Sequence, residues 1–209
     1  MWPDSNETEQ LLQQVAGGDP AAVNRLLERH RVSLRQMVRL RLDRALARRV
    51  DASDIVQDVL FEASRRLEDY IQEAKLPFHL WLRQLAKDRV IDMHRRHRAA
   101  QRRSIDREQP LAAPQFADRS SFDLAAQLKD PELTPAAANI RRELEHRFLA
   151  AIDELGEEDR EVILMRHCEH LGNSEVAAVL NISPAAAGMR YLRALRRLRG
   201  ILGEPPSIG

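Results

Sequence analysis

Apolar residues recur every three to four positions along most of this chain, which is the spacing of one face of an α-helix. We expect a first helix from Asp19 to about Ala47, broken once and capped by Asp19. A second helix is expected from Ala52 to Tyr70 and a third from Pro77 to about His97, with residues 71–76 forming the loop between them. The second helix has an aliphatic stripe that we expect to be buried: Ile55, Val56, Val59, Leu60, Ala63 and Leu67.

The helical periodicity fades between residues 99 and 134, where prolines interrupt a polar stretch. We interpret this stretch as a linker that holds one short helix around residues 122–128. Further helices are expected after it, at residues 135–155, 158–167, 174–180 and 184–202. The predicted fold class is therefore all-α, with two small helical domains, residues 1–98 and 135–209, joined by the linker at 99–134.

Composition agrees with a helical globular protein, because 44% of the 209 residues are hydrophobic and only 4% are aromatic. The chain contains no run of about 18 apolar residues, and its N-terminus is acidic and polar. We therefore expect a cytoplasmic protein with no direct membrane insertion. The single cysteine, Cys168, excludes an internal disulfide.

The formal net charge of +1 conceals charges that are separated along the chain. Basic residues dominate from Arg83 to Arg107 and again from Arg190 to Arg199, whereas the second helix begins with an acidic block. This separation suggests that one surface binds a polyanion and that another binds a protein partner. One face of the third helix carries four basic side chains: Arg83, Lys87, His94 and Arg98.

Aromatic residues surround the start of this basic third helix: Tyr70, Phe78, His79 and Trp81. Cations beside aromatic rings can bind phosphates and stack on unpaired bases, so the pattern indicates single-stranded nucleic acid. The alternative interpretation is an ordinary solvated face, with Phe78 and Trp81 in the core.

Residues 173–190 have the pattern of a helix-turn-helix. Ala177 or Ala178 supplies the small residue where the helices cross, Asn181 suits a left-handed turn, and Ser183 caps the second helix. Five residues of the second helix would project outward toward a DNA major groove: Ala186, Met189, Arg190, Arg193 and Arg197. A plain helical bundle buries small and aliphatic residues in the same way and is the alternative.

The second helix also carries a polar face opposite its aliphatic stripe, formed by Asp54, Gln57, Asp58 and Phe61. A solvated face rarely needs a phenylalanine. An apolar side chain surrounded by acids and an amide indicates a binding site for a basic, helical protein partner.

Three segments together resemble the extracytoplasmic-function (ECF) subfamily of bacterial RNA polymerase sigma factors. Residues 51–61 resemble the region 2 helix that docks on the clamp of the largest polymerase subunit, and residues 81–96 resemble the helix that melts and holds the minus ten element. Residues 155–167 and the helix-turn-helix resemble region 4, which reads the minus thirty-five element. The resemblance covers roughly three quarters of the chain.

The resemblance implies a factor that directs core polymerase to promoters and assists their melting, without catalysis or a cofactor. The expected polymerase contacts are the polar face of the second helix: Asp54, Gln57, Asp58 and Phe61. The expected minus ten contacts are Trp81, Lys87, Asp88, Arg89, Arg95 and Arg96. The expected minus thirty-five contacts are Ser183, Ala186, Met189, Arg190, Arg193 and Arg197. The implied partners are the polymerase clamp and flap, promoter DNA and, as a hypothesis, an anti-sigma factor.

Asp88 and residues 185–188 depart from the subfamily pattern. Asp88 stands where members often carry asparagine, which would alter hydrogen bonding to a captured base. Residues 185–188, Ala-Ala-Ala-Gly, replace a more polar start of the recognition helix, often with a lysine or arginine where Gly188 lies, so we expect fewer contacts to read bases there. Gly188 lies in the second helix of the helix-turn-helix, where it weakens the helix by about 1 kcal/mol relative to alanine.

Two other functions fit parts of the sequence. Residues 167–170, His-Cys-Glu-His, could suggest a metal site, but ligands this close together cannot form a tetrahedral set, so we expect no metal. The main alternative is an ordinary helix-turn-helix transcription factor, which would bind a palindromic operator tightly without polymerase.

Overall fold

The computed structural model describes residues 2–105 and 135–203, and the regular structure in these two ranges is helical. The N-terminal unit (residues 2–105) contains helices α1 (Ser5–Ala16), α2 (Pro20–Arg39), α3 (Arg44–Ala47), α4 (Ala52–Arg65), α5 (Leu67–Glu73) and α6 (Phe78–Ile105). The C-terminal unit (residues 135–203) contains α7 (Pro135–Asp153), α8 (Glu157–Ile163), a π-helical segment (Leu164–Cys168), α9 (Asn173–Leu180) and α10 (Pro184–Leu202). Among these helices, none combines the length and the apolar character needed to cross a membrane.

Helices α2, α4 and α6 pack around the core of the N-terminal unit. All six aliphatic residues expected on the stripe of the second helix are buried, five in α4 and Leu67 in α5, so the prediction of their burial is confirmed. Aspartates begin the first four helices, because the side chains of Asp4, Asp19, Asp43 and Asp51 accept hydrogen bonds from backbone amides in the following turn. The expected single break in the first helix falls between α2 and α3.

The structure contains a helix, α1, that the hydrophobic pattern does not predict. It begins after Asp4, whose side chain accepts a hydrogen bond from the backbone amide of Asn6 at 3.3 Å. Its buried residues are only Leu11 and Thr8, so its apolar stripe is too thin to be seen as a period in the sequence. The helix is stabilised by packing against α2.

The expected helix from Ala52 to Tyr70 is wrong in one respect, because two helices occupy this stretch. At Arg66 the backbone leaves helical geometry, with φ −102° and ψ 7°. The turn buries Leu67 in the core and stacks Tyr70 on Trp81 with 4.6 Å between ring centroids. Residues 71–73, expected in a loop, continue α5.

Helix α6 extends well beyond its expected end near His97 and stops at Ile105. Residues 99–105, expected in the linker, are therefore helical. The rest of the expected linker, including the short helix at residues 122–128, lies outside the described residues.

The C-terminal unit packs α10 against α7, α8 and α9. Its helices match the expected ones, except that the stretch expected at residues 158–167 ends in the π-helical segment. The core of this unit also includes Leu40, which follows α2, and Leu80 of α6. The two units are therefore in direct contact through buried apolar side chains.

Candidate functional surfaces

The polar face expected on α4 lies on the surface of the N-terminal unit. Asp54, Gln57, Asp58 and Phe61 are all exposed, and 65% of Phe61 is accessible to solvent. They line one side of a groove whose other side is formed by α2 residues that include Leu27 and Arg31. The expectation of an exposed phenylalanine on a polar helix face is confirmed.

An ion pair connects this face to α6. The guanidinium of Arg89 donates a hydrogen bond to the carboxylate of Asp58. Arg89 therefore lies toward α4, between the surface expected to bind polymerase and the helix expected to bind DNA. This contact was not expected, because the two residues lie 31 positions apart in the chain.

The structure distributes the residues expected at the minus ten element over three sides of α6. Asp88, Arg95 and Arg96 are exposed, and Arg95 pairs with Asp92 of the same helix at 2.9 Å. Trp81 is half-buried, and it packs against the core of the N-terminal unit through its stacking on the ring of Tyr70.

Two of these expected minus ten residues lie off the exposed side of α6. Lys87 faces the C-terminal unit, where its ammonium lies 3.6 Å from Glu161, and Arg89 faces α4. All six residues lie on α6, as the sequence predicts. They do not share one face, because Lys87 contacts the C-terminal unit and Arg89 contacts α4.

The expected basic face of α6 is not an open surface. Arg83 is 1% exposed, and its guanidinium donates hydrogen bonds to Glu169 at 2.7 Å and to Glu161 at 2.5 Å. His94 is also occupied, with Nε2 lying 3.1 Å from the carbonyl oxygen of Arg41. The prediction of a free cationic face was wrong here, because acids of the C-terminal unit cover Arg83 and the N-terminal unit itself supplies the partners of His94.

The helix-turn-helix has the local geometry that the sequence predicts. Asn181 adopts the left-handed conformation with φ 52°, and the Ser183 hydroxyl accepts a hydrogen bond from the amide of Ala186 at 3.2 Å. Ala177 is buried and Ala178 is exposed, so Ala177 is the small residue at the helix crossing. The residues of α10 that were expected to face inward are buried or partly buried: Ala187, Tyr191, Ala194, Leu195 and Leu198.

The outward face of α10 contains the residues expected at the minus thirty-five element. Ser183, Ala186, Met189 and Arg193 are exposed. The other two arginines of the face have acidic partners at the start of α8: Arg190 lies 3.8 Å from Glu158, and Arg197 pairs with Asp159. The cationic face is thus held in place by acids from a neighbouring helix.

Gly188 has a packing role that the sequence does not reveal. It lies where α10 passes the first residue of α9, and a Cβ added at this position would stand 3.0 Å from Nδ2 of Asn173. The glycine therefore permits a close approach between the two helices of the helix-turn-helix.

Within residues 167–170, the side chains of His167 and Glu169 are engaged in separate contacts. Nε2 of His167 lies 2.9 Å from the Tyr191 hydroxyl, and Glu169 binds Arg83. Burial, with the nearby charge of Glu169, raises the pKa of the Cys168 thiol to about 11. Within the described ranges, no three His, Cys, Asp or Glu side chains gather as a metal site would require.

A helical domain with an exposed acidic and aromatic face, joined to a helix-turn-helix with a cationic outer face, is the arrangement expected of a promoter-recognition protein. Comparison with known proteins agrees. The family model of sigma-70 region 2 matches residues 26–100, and that of sigma-70 region 4 matches residues 145–198. This chain belongs to the RNA polymerase sigma factors, and within them to the ECF subfamily.

Three relatives illustrate the similarity. A probable RNA polymerase sigma factor RfaY of Xanthomonas campestris is 32% identical over 160 residues, which cover 76% of this chain but only 36% of the relative. The ECF RNA polymerase sigma-E factor of Haemophilus influenzae is 27% identical over 88% of this chain and 89% of its own length. The RNA polymerase sigma factor CnrH of Cupriavidus metallidurans is 28% identical over 92% of each chain.

The fold is also similar to a solved structure of CnrH in complex with the cytosolic domain of CnrY. The TM-score is 0.60 at 24% sequence identity, and the match covers 95% of this chain and 97% of the solved chain. At this identity, the similarity supports the all-helical fold of two domains.

Proposed function

We propose that this sigma factor binds core RNA polymerase through the exposed face of α4, formed by Asp54, Gln57, Asp58 and Phe61. The exposure of Phe61 is the observation that carries the proposal. An aromatic side chain surrounded by carboxylates and an amide is a typical anchor for a protein interface, since it buries a large area when a partner covers it. The acids around it favour a basic surface on the polymerase clamp.

We propose two promoter contacts for the same molecule. The exposed side of α6 offers Asp88, Arg95 and Arg96, with Trp81 at its edge, to the melted minus ten strand. The outer face of α10 offers Arg190, Arg193 and their neighbours to the minus thirty-five duplex. Each contact alone is weak, and the two act together through effective concentration once polymerase holds both units on one promoter.

The chain itself performs no chemistry in this proposal and needs no cofactor. Opening the promoter costs on the order of 1 to 2 kcal/mol per base-pair step, and stacking of about 1 to 3 kcal/mol per captured base offsets that cost. Core polymerase and chromosomal DNA place this function in the cytoplasm.

An anti-sigma factor is the third proposed partner. CnrH has been solved with the cytosolic domain of CnrY bound to it. In this chain the groove between α2 and α4 combines the apolar side chains of Leu27, Leu60 and Phe61 with a charged rim. We propose that a helical inhibitor binds this groove and competes with polymerase for Phe61.

Co-elution with purified core polymerase tests the polymerase contact. We expect Asp54→Arg and Phe61→Ala to weaken binding at least about tenfold, because one reverses the charge beside the anchor and the other removes it. The matched controls are Glu9→Arg, an exposed acid on α1, and Ile91→Ala, an exposed apolar residue on α6. Equal binding by all four variants would remove the α4 face from the proposal.

A duplex-binding assay without polymerase tests the alternative of an ordinary helix-turn-helix regulator. The proposal predicts weak binding to any duplex by the chain alone. Tight, polymerase-independent binding to a palindromic operator would support the alternative.

A further inference from the structure

A buried contact holds the C-terminal unit against α2 and α6 of the N-terminal unit. Its apolar part consists of Leu40 and Leu80, which are 9% and 1% exposed and belong to the core of the C-terminal unit. The Arg160 guanidinium also donates to the carbonyl oxygen of Leu40 at 3.0 Å, and His79 Nε2 lies 2.7 Å from Glu175 Oε1.

The centre of this contact is a charged cluster that spans both units. Arg83 Nε donates to Glu169 at 2.7 Å, and Arg41 Nε donates to Glu161 at 3.1 Å. Each arginine reaches both carboxylates, because Arg83 Nη2 also donates to Glu161 at 2.5 Å and Arg41 Nη2 also donates to Glu169. The side chains of Arg83, Arg41 and Glu169 are 1%, 8% and 3% exposed. Both arginines come from the N-terminal unit and both glutamates from the C-terminal unit.

Glu161 keeps its negative charge while the two units are in contact, an arrangement that we call the closed form. Burial by itself would raise the pKa of Glu161, but the charges of Arg41, Arg83 and Lys87 lower it to about 2. The carboxylate oxygens of Glu161 and Glu169 accept hydrogen bonds from planar guanidinium groups, which can bind the oxygens of a phosphate in the same way.

The energetics of such a cluster differ between the closed and open arrangements. In the closed form, each buried charge depends on its partners, and removal of one partner leaves an uncompensated buried charge. In an open form the same groups would be hydrated and would not need partners. Loss of one carboxylate therefore penalises the closed form alone, and the units can relieve the penalty by separating.

We propose that Glu161 and Glu169 form an ionic latch with Arg41 and Arg83 that closes the C-terminal unit over the basic side of α6. The closed latch keeps Lys87 beside Glu161 and ties Glu175 of the helix-turn-helix to His79. The two promoter-binding units are then held together, and Lys87, 3.6 Å from Glu161, pairs with that carboxylate in place of a DNA phosphate until the latch opens. The last consequence rests on the proposed function and on the minus ten contact that the resemblance to sigma factors implies for Lys87.

Energy transfer between two dyes on the full chain tests the latch. The dyes are attached at Gln13→Cys on α1 and Ala178→Cys on α9, which are exposed positions on different units. Cys168→Ser in the parent and in every variant removes the native thiol, so that only the two introduced cysteines carry dye. We expect Glu161→Gln combined with Glu169→Gln to shift the equilibrium toward the open form by about tenfold or more, with a fall in transfer efficiency.

Two further variants keep this test decisive. Glu154→Gln, at an exposed acid of the same unit, is the matched control and should leave the transfer efficiency unchanged. Arg83→Met removes the latch from the other unit and is the variant to use if the double glutamine variant loses its helical circular dichroism. Unchanged transfer in a folded latch variant would overturn the proposal.

A second readout separates the latch from the function assigned to Lys87. The probe is a fluorescent single-stranded thymidine homopolymer, which reports binding of a DNA backbone. We expect the latch variant to bind it several-fold more tightly than the parent, and Lys87→Ala to remove that gain. If the energy transfer shows opening but the affinity for the homopolymer does not rise, the latch is upheld and the assignment of Lys87 to DNA binding is refuted.

Discussion

Arg89 of α6 donates a hydrogen bond to Asp58 of α4, so a single ion pair connects the helix proposed to bind polymerase with the helix proposed to bind the minus ten strand. The side chain of Asp58 is 55% exposed and that of Arg89 is 28% exposed. Any variant of Asp58 therefore changes both surfaces, whereas Asp54, one helical turn earlier, takes no part in this ion pair. Asp54 is for this reason the better position for a charge reversal.

The Asp58–Arg89 pair should contribute little to folding. Exposed ion pairs stabilise proteins by about 0.2 to 1 kcal/mol, because solvent screens them and both side chains lose freedom. We expect Asp58→Asn to lower the free energy of unfolding by less than about 1 kcal/mol, as measured by urea denaturation. A coupling of more than about 2 kcal/mol in a double-mutant cycle with Arg89→Ala would show that the pair is a structural element instead.

His30 should make stability depend on pH. Its ring is fully buried, and the centroid of the ring lies 5.2 Å from the centroid of the Phe78 ring. Burial, with the charges of His79 and Arg29, lowers the pKa of His30 from 6.5 to about 4. Between these two values the unfolded chain binds a proton that the folded chain does not, so stability falls as the pH drops from 6.5 to about 4.

The size of this pH effect follows from the pKa difference of His30. It corresponds to roughly 3 kcal/mol over the whole window. Urea denaturation at several pH values, on the parent and on His30→Leu, measures it. We expect the variant to show a flatter profile between pH 6.5 and 4, and identical slopes would refute the account of His30.

Gly188→Ala should stabilise the C-terminal unit. Alanine favours the helix by about 1 kcal/mol, and Asn173 is exposed, so its side chain can turn away from the new methyl group. Gly200→Ala in the same helix is the matched control, because a Cβ there meets nothing within 4 Å. Thermal unfolding compares the two variants. A loss of stability in Gly188→Ala, with a gain in Gly200→Ala, would show that Asn173 is fixed.

Cys168 should react slowly with thiol reagents. The thiolate is the reactive form, and burial together with Glu169 raises the pKa of the thiol to about 11. We expect a disulfide reagent at pH 8 to modify the native protein much more slowly than the urea-unfolded protein. Equal rates in the two states would contradict the burial of this side chain.

The parts of the fold that local patterns control could be predicted from the sequence. The aliphatic stripe of α4 leaves Phe61 and its acidic neighbours as the outer face, and Asn181 with Ser183 sets the turn of the helix-turn-helix. These features depend on helical periodicity and on the preferences of single residues, which are present in the sequence itself.

Other features depend on contacts between distant residues, and the sequence does not show them. Arg83 and Glu169 lie 86 positions apart, so nothing local indicates that this arginine is buried. The break at Arg66 falls in a stretch without proline or glycine, and after it Tyr70 of α5 stacks on Trp81 of α6. In both cases tertiary packing overrides the local pattern.

Promoter-dependent transcription by reconstituted polymerase tests the central claim most directly. Core polymerase is supplied with the parent chain, with Asp54→Arg or with Glu9→Arg, on a library of promoter fragments that core polymerase alone does not transcribe. We predict specific transcripts with the parent and with Glu9→Arg, and their loss with Asp54→Arg. Failure of the parent chain to direct any specific initiation, or full activity of Asp54→Arg, would contradict the account.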